Sequence, residues 1–386
     1  MDAAPPIYLD YNATTPVDTR VFEAMRPYFT EHFGNAASAH AWGWAASAAV
    51  DAARAHVAAM IGAEPAEIVF TSGATEAANL AIKGVAARYT AKGRHLVTAA
   101  TEHRAVLDAH ARLARDGCDV TVLPVDADGL VSPGVLDAAI RPDTLLVSLM
   151  RANNETGVLH STEALYAVCR ARGVFLFVDA TQAPGKLPAA DVARIAAHAD
   201  LAAFAAHKFY GPKGAGALYV RRRDPRVALA PLVEGGGQER GFRSGTLAVP
   251  LIVGMGEAAR LVLEGADDPA RLTALRDQLE VRLEADAGAV VNGRAAARLP
   301  NTSSLAFPGV RADRLLAALG GSLALATGSA CASAKPEASH VLRALGLSDE
   351  AARASIRISL GRPTSAADVN AAAERIVAAV RVERGR

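Results

Sequence analysis

The feature that most constrains the fold is an alternation of short apolar runs with longer amphipathic segments between residues 65 and 220. The runs are rich in β-branched residues and predict strands, and the Ala-rich segments between them have helical spacing. The predicted strands cover residues 68–70, 95–99, 120–125, 145–150, 174–179, 201–205 and 217–220. This alternation predicts an α/β fold with a mostly parallel seven-stranded sheet flanked by helices on both faces.

A second structural unit is predicted after residues 264–269, where Gly, Asp and Pro cluster between helical stretches. Residues 271–285 then predict a helix, and short strands are expected near 303–307 and 355–360. We therefore expect a large domain over residues 15–262. A smaller α+β domain would be built from residues 1–14 plus 263–386.

Bulk composition excludes several classes of protein. The chain has 41 Lys+Arg against 40 Asp+Glu, a net charge of +1, which demands neither a nucleic acid nor a membrane partner. There is no apolar run long enough to span a bilayer, and the N-terminus lacks the pattern of a signal peptide. The cysteines Cys118, Cys169 and Cys331 are too few and too scattered for a disulfide framework or a structural metal. We expect a reduced, cytoplasmic protein without a bound metal.

Reactive side chains follow several predicted strands, at the edge where open parallel sheets bind ligands. Thr75 follows the first strand and opens a helix, where free N–H groups can hold an anion. Asp179 ends an apolar strand, where a carboxylate requires a cation or donors as partners. Lys208 follows the next strand and could form a Schiff base. Individually, these residues also suit an ordinary helix cap (Thr75, Asp179) or an exposed lysine, but together they match the needs of pyridoxal phosphate.

Four further residues are candidates for the same site. His103 could cover a cofactor ring and move protons, although a structural histidine is the alternative. Asn154 could donate to a ligand or could form an Asx turn. Arg357 lies in a strand and could pair with a substrate carboxylate or form a structural salt bridge. Cys331 lies among small residues, in a segment typical of a mobile loop with a nucleophilic thiolate, whereas Cys118 and Cys169 are interpreted as packing or incidental residues.

With these residues identified, the chain resembles cysteine desulfurases of the NifS/IscS type, in the class V aminotransferase superfamily. The resemblance runs essentially from end to end and includes many motifs in the same order. They are residues 8–10, 13–16, 33–35, 72–76, 153–155, 178–180, 207–208, 211–214, 235–240, 243–246, 328–331 and 341–347.

The resemblance implies the pyridoxal-phosphate-dependent transferase fold type I, with pyridoxal 5'-phosphate as the cofactor. Lys208 would carry the cofactor covalently, Asp179 would keep its pyridine nitrogen protonated, and His103 would stack on the ring. The full set of implied cofactor contacts is Ala74, Thr75, His103, Asn154, Asp179, Gln182, Ala205, His207, Lys208 and, reaching across a homodimer, Thr246. Asn154 and Arg357 would bind the substrate carboxylate, and Cys331 would be the catalytic nucleophile.

The implied activity is conversion of L-cysteine to L-alanine, with the sulfur transferred to Cys331 as a persulfide. The sulfur would then pass to an acceptor. This acceptor could be a scaffold protein for iron–sulfur cluster assembly or could belong to a pathway of thio-cofactor biosynthesis. Cys331 could also act as a transient iron–sulfur ligand. The alternatives are a selenocysteine lyase or a plain class V aminotransferase, or, from a different class, a non-enzymatic sulfur carrier or cluster scaffold.

Two departures from the family pattern are visible. Relatives usually carry Ser and then Gly before the His-Lys pair, where this chain has Ala205 and Ala206. Because Ala205 supplies no hydroxyl, weaker retention of the cofactor is expected. The chain also stops at Arg386, where housekeeping members continue into a tail that helps to dock a scaffold, so the sulfur acceptor stays open.

Overall fold

A computed structural model describes residues 6–327 and 338–385 of the chain. The strands of this part are β1 (Ile7–Tyr8), β2 (Ile68–Thr71), β3 (His95–Ala99), β4 (Asp119–Leu123), β5 (Thr144–Met150), β6 (Phe175–Asp179), β7 (Leu201–Ala205), β8 (Gly216–Val220), β9 (Val290–Val291), β10 (Thr302–Ala306), β11 (Leu323–Ala324) and β12 (Ser355–Ser359). The helices are α1 (Thr19–Met25), α2 (Pro27–Thr30), α3 (Ala41–Ile61), α4 (Ala74–Arg88), α5 (Arg104–Arg115), α6 (Pro133–Ala139), α7 (Thr162–Ala171), α8 (Ala189–Val192), α9 (Val249–Leu263), α10 (Pro269–Ala287), α11 (Ala312–Leu319), α12 (His340–Ala344), α13 (Asp349–Arg353) and α14 (Ala366–Arg384).

The central sheet has seven strands in the order β2-β8-β7-β6-β5-β3-β4. Strand β8 is antiparallel to both of its neighbours, and the other pairs are parallel. The predicted mostly parallel sheet is therefore confirmed, with β8 as the exception. Since β2 and β7 both run against β8, the carboxyl ends of β2, β3, β5, β6 and β7 meet at one edge.

The sheet is apolar on both faces because helices cover both. Along β7, Ala202 and Phe204 face one core cluster with α3 and α9, while Leu201 and Ala203 face another with α4. This two-residue alternation is the period of a strand. Helix α9 approaches α3 closely at Gly256, where an added Cβ would lie 2.4 Å from the Ala53 Cα.

A separate apolar cluster lies around α10, α14, β10 and β12. Its strands form the three-stranded antiparallel sheet β12-β10-β9, and β1 pairs in parallel with β11 nearby. Leu9, just after β1, packs into this cluster, so the beginning of the chain joins its C-terminal part. The proposed domain division at residues 14/15 and 262/263 is compatible with these clusters and stays a prediction.

The predicted elements agree with the observed ones to within a few residues at their ends. Strand β4, for example, covers Asp119–Leu123 rather than residues 120–125. Within the described residues, no helix is both long and apolar enough to cross a membrane.

Candidate active site

Lys208 lies directly after β7, in the 3-10 turn Ala206–Lys208 at the carboxyl edge of the sheet. Its Nζ donates to the carbonyl oxygens of Asn12 at 2.7 Å and Ala13 at 2.8 Å. The Thr15 amide donates to the His207 carbonyl oxygen at 2.9 Å, which holds the N-terminal segment against this turn. The predicted lysine is thus half-buried at the sheet edge, with backbone acceptors from the start of the chain.

Asp179 is the last residue of the neighbouring strand β6, in register with Met150 of β5 and Ala203 of β7. Its side chain is half-buried, and Oδ1 accepts a hydrogen bond from the Thr181 amide at 3.0 Å. The cap-like bond that the sequence allowed as an alternative is therefore present. One amide donor satisfies part of the carboxylate, which leaves capacity for a cationic partner at the sheet edge.

His103 caps the N-terminus of α5, with Nδ1 accepting from the Ala105 amide at 3.1 Å. Burial lowers the pKa of this imidazole, Asp179 raises it and Lys208 lowers it. Because both charges act on the ring, the three side chains lie in one electrostatic environment. With Nδ1 used as an acceptor, the neutral ring carries its hydrogen on Nε2.

The N-terminus of α4 provides an anion-binding position beside these groups. Thr75 is exposed in its first turn and Ala74 is half-buried. The turn before the helix packs tightly against β8, since a Cβ at Gly216 would lie 2.4 Å from the Gly73 Cα. At Gly73 itself, an added Cβ would meet no atom within 4 Å, so open space adjoins the helix start. Backbone N–H groups and the Thr75 hydroxyl there suit a phosphate.

His207 and Gln182 line the same region. His207 Nδ1 is 3.1 Å from the Thr14 hydroxyl, and burial lowers the pKa of its imidazole to about 4. Gln182 is buried, and its Nε2 donates to the Asn12 carbonyl oxygen at 3.1 Å. Lys208 Nζ donates to the same oxygen, so Gln182 and Lys208, both predicted cofactor contacts, share one acceptor.

Asn154 and Arg357 are brought together as expected, and they contact each other. Arg357 Nη1 donates to the Asn154 carbonyl oxygen at 3.0 Å, and Nη2 forms a salt bridge with Asp10 at 2.7 Å. The structural salt bridge considered for Arg357 is therefore present. Its buried Nε has no hydrogen-bond partner in the described part of the chain, which leaves a donor for an anion. The Asx turn is formed by Asn153, whose Oδ1 accepts from the amides of residues 155 and 156.

Three buried charged residues near the site were missed by the sequence analysis. Burial raises the pKa of Glu102 well above its usual value, with a further contribution from Asp179. Burial also raises the pKa of Glu155 to about 7 and holds the pKa of Lys186 well below its usual value. The available signal was their position in the sequence. Glu102 and Glu155 are adjacent to predicted site residues, and Lys186 lies among small apolar residues.

Other predicted residues lie at the margin. Ala205 is buried at the end of β7. Thr246 is exposed on a loop whose Arg243 pairs with Glu76 of α4 at 2.8 Å, and its role in a neighbouring subunit stays a prediction. Cys331 lies outside the described residues. Cys169 is buried in α7, where burial raises the pKa of its thiol to about 12, and Cys118 is half-buried.

The residues present fit pyridoxal phosphate. An amine, a carboxylate, an imidazole and a helix N-terminus with a hydroxyl surround one edge of the sheet, which are the donor types that this cofactor requires. The Thr181 hydroxyl, next to Asp179, is buried and has no hydrogen-bond partner among the described residues. In the same part of the chain, no cluster of three or more His, Cys, Asp or Glu residues could hold a metal ion.

Comparison with known proteins identifies the family of the chain. Residues 7–372 match the family model described as Aminotransferase class-V. The chain is 54% identical to the cysteine desulfurase IscS of Anaeromyxobacter sp. (strain Fw109-5), covering 97% of this chain and 93% of that protein. It is 52% identical to the cysteine desulfurase IscS of Neisseria gonorrhoeae (strain ATCC 700825 / FA 1090), covering 97% and 92%.

Solved structures agree as well. A NifS-like protein superimposes with a TM-score of 0.90 at 36% identity, covering 98% of this chain and 100% of that one. SspA in complex with cysteine superimposes with a TM-score of 0.80 at 36% identity, covering 93% and 100%. The chain therefore belongs to the class V aminotransferase family and, within it, to the cysteine desulfurases of the IscS and NifS type.

Proposed function

We propose that the protein uses pyridoxal 5'-phosphate bound at Lys208 to convert L-cysteine to L-alanine, with Cys331 receiving the sulfur. The observation that carries the proposal is the convergence of Lys208, Asp179 and His103 at the carboxyl edge of the sheet, where Asp179 and Lys208 both act on the imidazole. When bound, the cofactor supplies an electron sink that weakens bonds at the substrate Cα.

Each predicted site residue has a proposed task. The Lys208 amine would anchor the cofactor, and the carbonyl oxygens of Asn12 and Ala13 are the acceptors that would hold this amine when it is free. Asp179 stabilises a protonated pyridine nitrogen, and the first turn of α4 with Thr75 holds the phosphate together with His207. Gln182 donates to the ring hydroxyl. Residues Ala74 and Ala205 contribute contacts at the rim of this position.

His103 moves protons at the substrate. In this orientation Nδ1 accepts from the Ala105 amide and the neutral ring carries its hydrogen on Nε2, so Nε2 can donate to the reacting molecule. To take up a proton at Nε2, the ring would have to release the Ala105 amide and carry its hydrogen on Nδ1. Asn154 and the unpaired Nε of Arg357 bind the substrate carboxylate. This binding orients the substrate sulfur for attack.

Cys331 then attacks that sulfur as a thiolate. An S–S bond forms on Cys331 while the C–S bond of the substrate breaks, and its electron pair stays on the carbon skeleton, which takes up a proton to become alanine. The persulfide passes to an acceptor for iron–sulfur cluster or thio-cofactor biosynthesis. A reduced cytoplasmic location agrees with the need for a free thiol.

We also propose a homodimer in which Thr246 of one subunit serves the site of its neighbour. Five large hydrophobic side chains in the first 44 residues are more than half exposed, which supports an interface in this part of the chain. They are Phe22, Phe29, Phe33, Trp42 and Trp44.

The test supplies L-cysteine, pyridoxal phosphate and a reductant to the wild type, Cys331→Ala and Lys208→Ala, and quantifies alanine and sulfide. We expect both products from the wild type. Cys331→Ala should lose sulfide release but keep the visible absorbance of the bound cofactor, and Lys208→Ala should lose that absorbance. Undiminished turnover in Cys331→Ala would instead indicate an aminotransferase or a selenocysteine lyase, and absence of cofactor absorbance in the wild type would indicate a scaffold.

A further inference from the structure

Lys186 is a buried lysine to which the proposed mechanism assigns no task. It lies seven positions after Asp179, between β6 and α8, and only 3% of its surface is exposed. No Asp or Glu forms a salt bridge with it within residues 6–327 and 338–385. The nearby charges of Lys208 and Arg357 disfavour its protonation, whereas the charge of Asp267 favours it. Burying an amine among cations costs stability, so its presence requires another explanation.

The hydrogen bonds of Lys186 lead to the cofactor site. Its Nζ donates to Gln182 Oε1 at 2.5 Å and to the Lys208 carbonyl oxygen at 3.3 Å. The Asn12 carbonyl oxygen can only accept, so the Gln182 amide presents Nε2 to it and Oε1 to the Lys186 amine. Nε2 is directed to the side of Asn12, whose carbonyl oxygen it shares with Lys208 Nζ.

The result is a closed set of hydrogen bonds that joins both ends of Lys208. The chain of contacts runs from Lys186 Nζ through the Gln182 amide to the Asn12 carbonyl oxygen and Lys208 Nζ, and back through the Lys208 carbonyl oxygen. If the amide rotated by 180°, its NH₂ group would face the Lys186 amine and its oxygen would face the Asn12 carbonyl. The Lys186 donor and the Asn12 acceptor therefore act together against the orientation in which Gln182 could only accept from a ligand.

We propose that Lys186 is a positioning residue that fixes the Gln182 amide as a donor to the cofactor ring and braces the turn that carries Lys208. This inference rests on the proposed function. It predicts that the protein sacrifices stability at Lys186 in return for cofactor binding, because a well-packed apolar side chain of similar length would avoid the buried amine.

The test compares Lys186→Met, Gln182→Leu and the double variant with the wild type, and measures the pyridoxal phosphate dissociation constant and the melting temperature of each apoprotein. Loss of one hydrogen bond should weaken cofactor binding about fivefold in each single variant. If Lys186 acts through Gln182, the double variant should bind the cofactor about fivefold more weakly than the wild type, as each single variant does. All three variants should also share the same change in the visible cofactor spectrum. Apo Lys186→Met should melt at or above the wild-type temperature.

Lys92→Met is the matched control, because Lys92 is exposed and donates to the Gly173 carbonyl oxygen away from the site. It should leave the dissociation constant unchanged. The proposal is overturned if Lys186→Met binds the cofactor like the wild type, if the two single effects multiply to about 25-fold in the double variant, or if apo Lys186→Met melts lower with unchanged affinity. Failure of the proposed function is distinguishable, since the wild type itself would then not bind pyridoxal phosphate.

Discussion

At the scale of single residues, the site depends on a few polar atoms whose partners leave one group available to a ligand. His103 uses Nδ1 as a helix cap and keeps the Nε2–H group as a donor, and Arg357 uses both Nη atoms and keeps Nε. In each case a structural bond fixes the orientation of a side chain that also serves the site. The structural and functional interpretations of His103 and Arg357 are therefore compatible.

Ala205 gives a prediction at this scale. It is buried at the end of β7, immediately before the turn that carries Lys208, and offers no hydroxyl. We expect Ala205→Ser to add one hydrogen bond to the cofactor phosphate, about 1 kcal/mol, and so to lower the pyridoxal phosphate dissociation constant about fivefold. Equilibrium titration of the apoprotein, followed by cofactor fluorescence or absorbance, measures this constant.

Ala203→Ser is the control for that substitution. Ala203 lies in the same strand but packs into the core on the α4 side, so its serine variant should lose stability without any gain in cofactor affinity. Equal dissociation constants for Ala205→Ser and the wild type would contradict the assigned role of residue 205.

At the scale of secondary structure elements, helix α12 is joined to the site by its N-terminal residues. Ser339 caps the helix by accepting from the amides of Val341 and Leu342, and its hydroxyl donates to Glu155. His340 Nε2 lies 3.0 Å from the Glu102 carbonyl oxygen. The start of α12 thus contacts the neighbours in sequence of both Asn154 and His103.

Glu155 makes this connection dependent on pH. Burial raises its pKa from 4.5 to about 7, so the folded protein binds more protons than the unfolded chain between these values. Stability contributed by the protonated form is complete below pH 4.5 and is lost as the pH rises through 7. Relative to Glu155→Gln, which cannot ionise, the wild type should therefore lose about 2 kcal/mol between pH 5.5 and 8.

Urea denaturation of both apoproteins at the two pH values measures this difference. Glu163→Gln is the control, because Glu163 is exposed on α7 and pairs with the exposed Arg194. That variant should follow the wild type at both pH values. A difference between Glu155→Gln and the wild type that stays constant with pH would show that Glu155 does not titrate in this range.

At the scale of the whole molecule, the N-terminal segment links the two main groups of core residues. Leu9 packs among the residues of α10, α14 and β12, whereas Asn12 and Ala13 accept hydrogen bonds from Lys208 at the edge of the large sheet. Arg362, just after β12, forms salt bridges with Asp18 at 3.0 Å and with Asp267 at 2.6 Å. Lys208 and the small sheet are therefore connected through the first 18 residues.

The proposed homodimer gives the prediction at this scale. If Thr246 serves the neighbouring site, then Thr246→Ala and Lys208→Ala impair different contributions to one composite site. A mixed dimer would contain one site with both substitutions and one site with neither. In an equal mixture about half of the dimers are mixed, and each mixed dimer has one intact site of two. Refolding the two variants together should thus restore about a quarter of the wild-type alanine formation.

Each variant refolded alone is the control and should stay impaired, while sedimentation should show dimers throughout. Activity of the mixture equal to the average of the separately refolded variants would contradict the shared site. A monomer in sedimentation would contradict the dimer itself.

Much of the fold and part of the site followed from local sequence. Strands such as β3 and β7 were predicted at their observed bounds, because a buried strand needs a continuous apolar run whose ends are marked by polar or small residues. Lys208, Asp179 and His103 were predicted as site residues for the same reason, since each lies at the end of such a run or within four residues of it. Parallel strands bring their carboxyl ends to one edge whatever the order of the strands.

Tertiary structure alone decided what those residues contact. Three features join positions more than 100 residues apart: the antiparallel pairing of β8 with β2, the Asn12 carbonyl oxygen shared by Lys208 and Gln182, and the pairing of Arg357 with Asp10. Periodicity encodes which face of an element is buried, but it carries no information on which distant polar atom will satisfy a given donor. The burial of Lys186 and Glu155, and with it their altered pKa values, likewise exists only once the chain has closed around them.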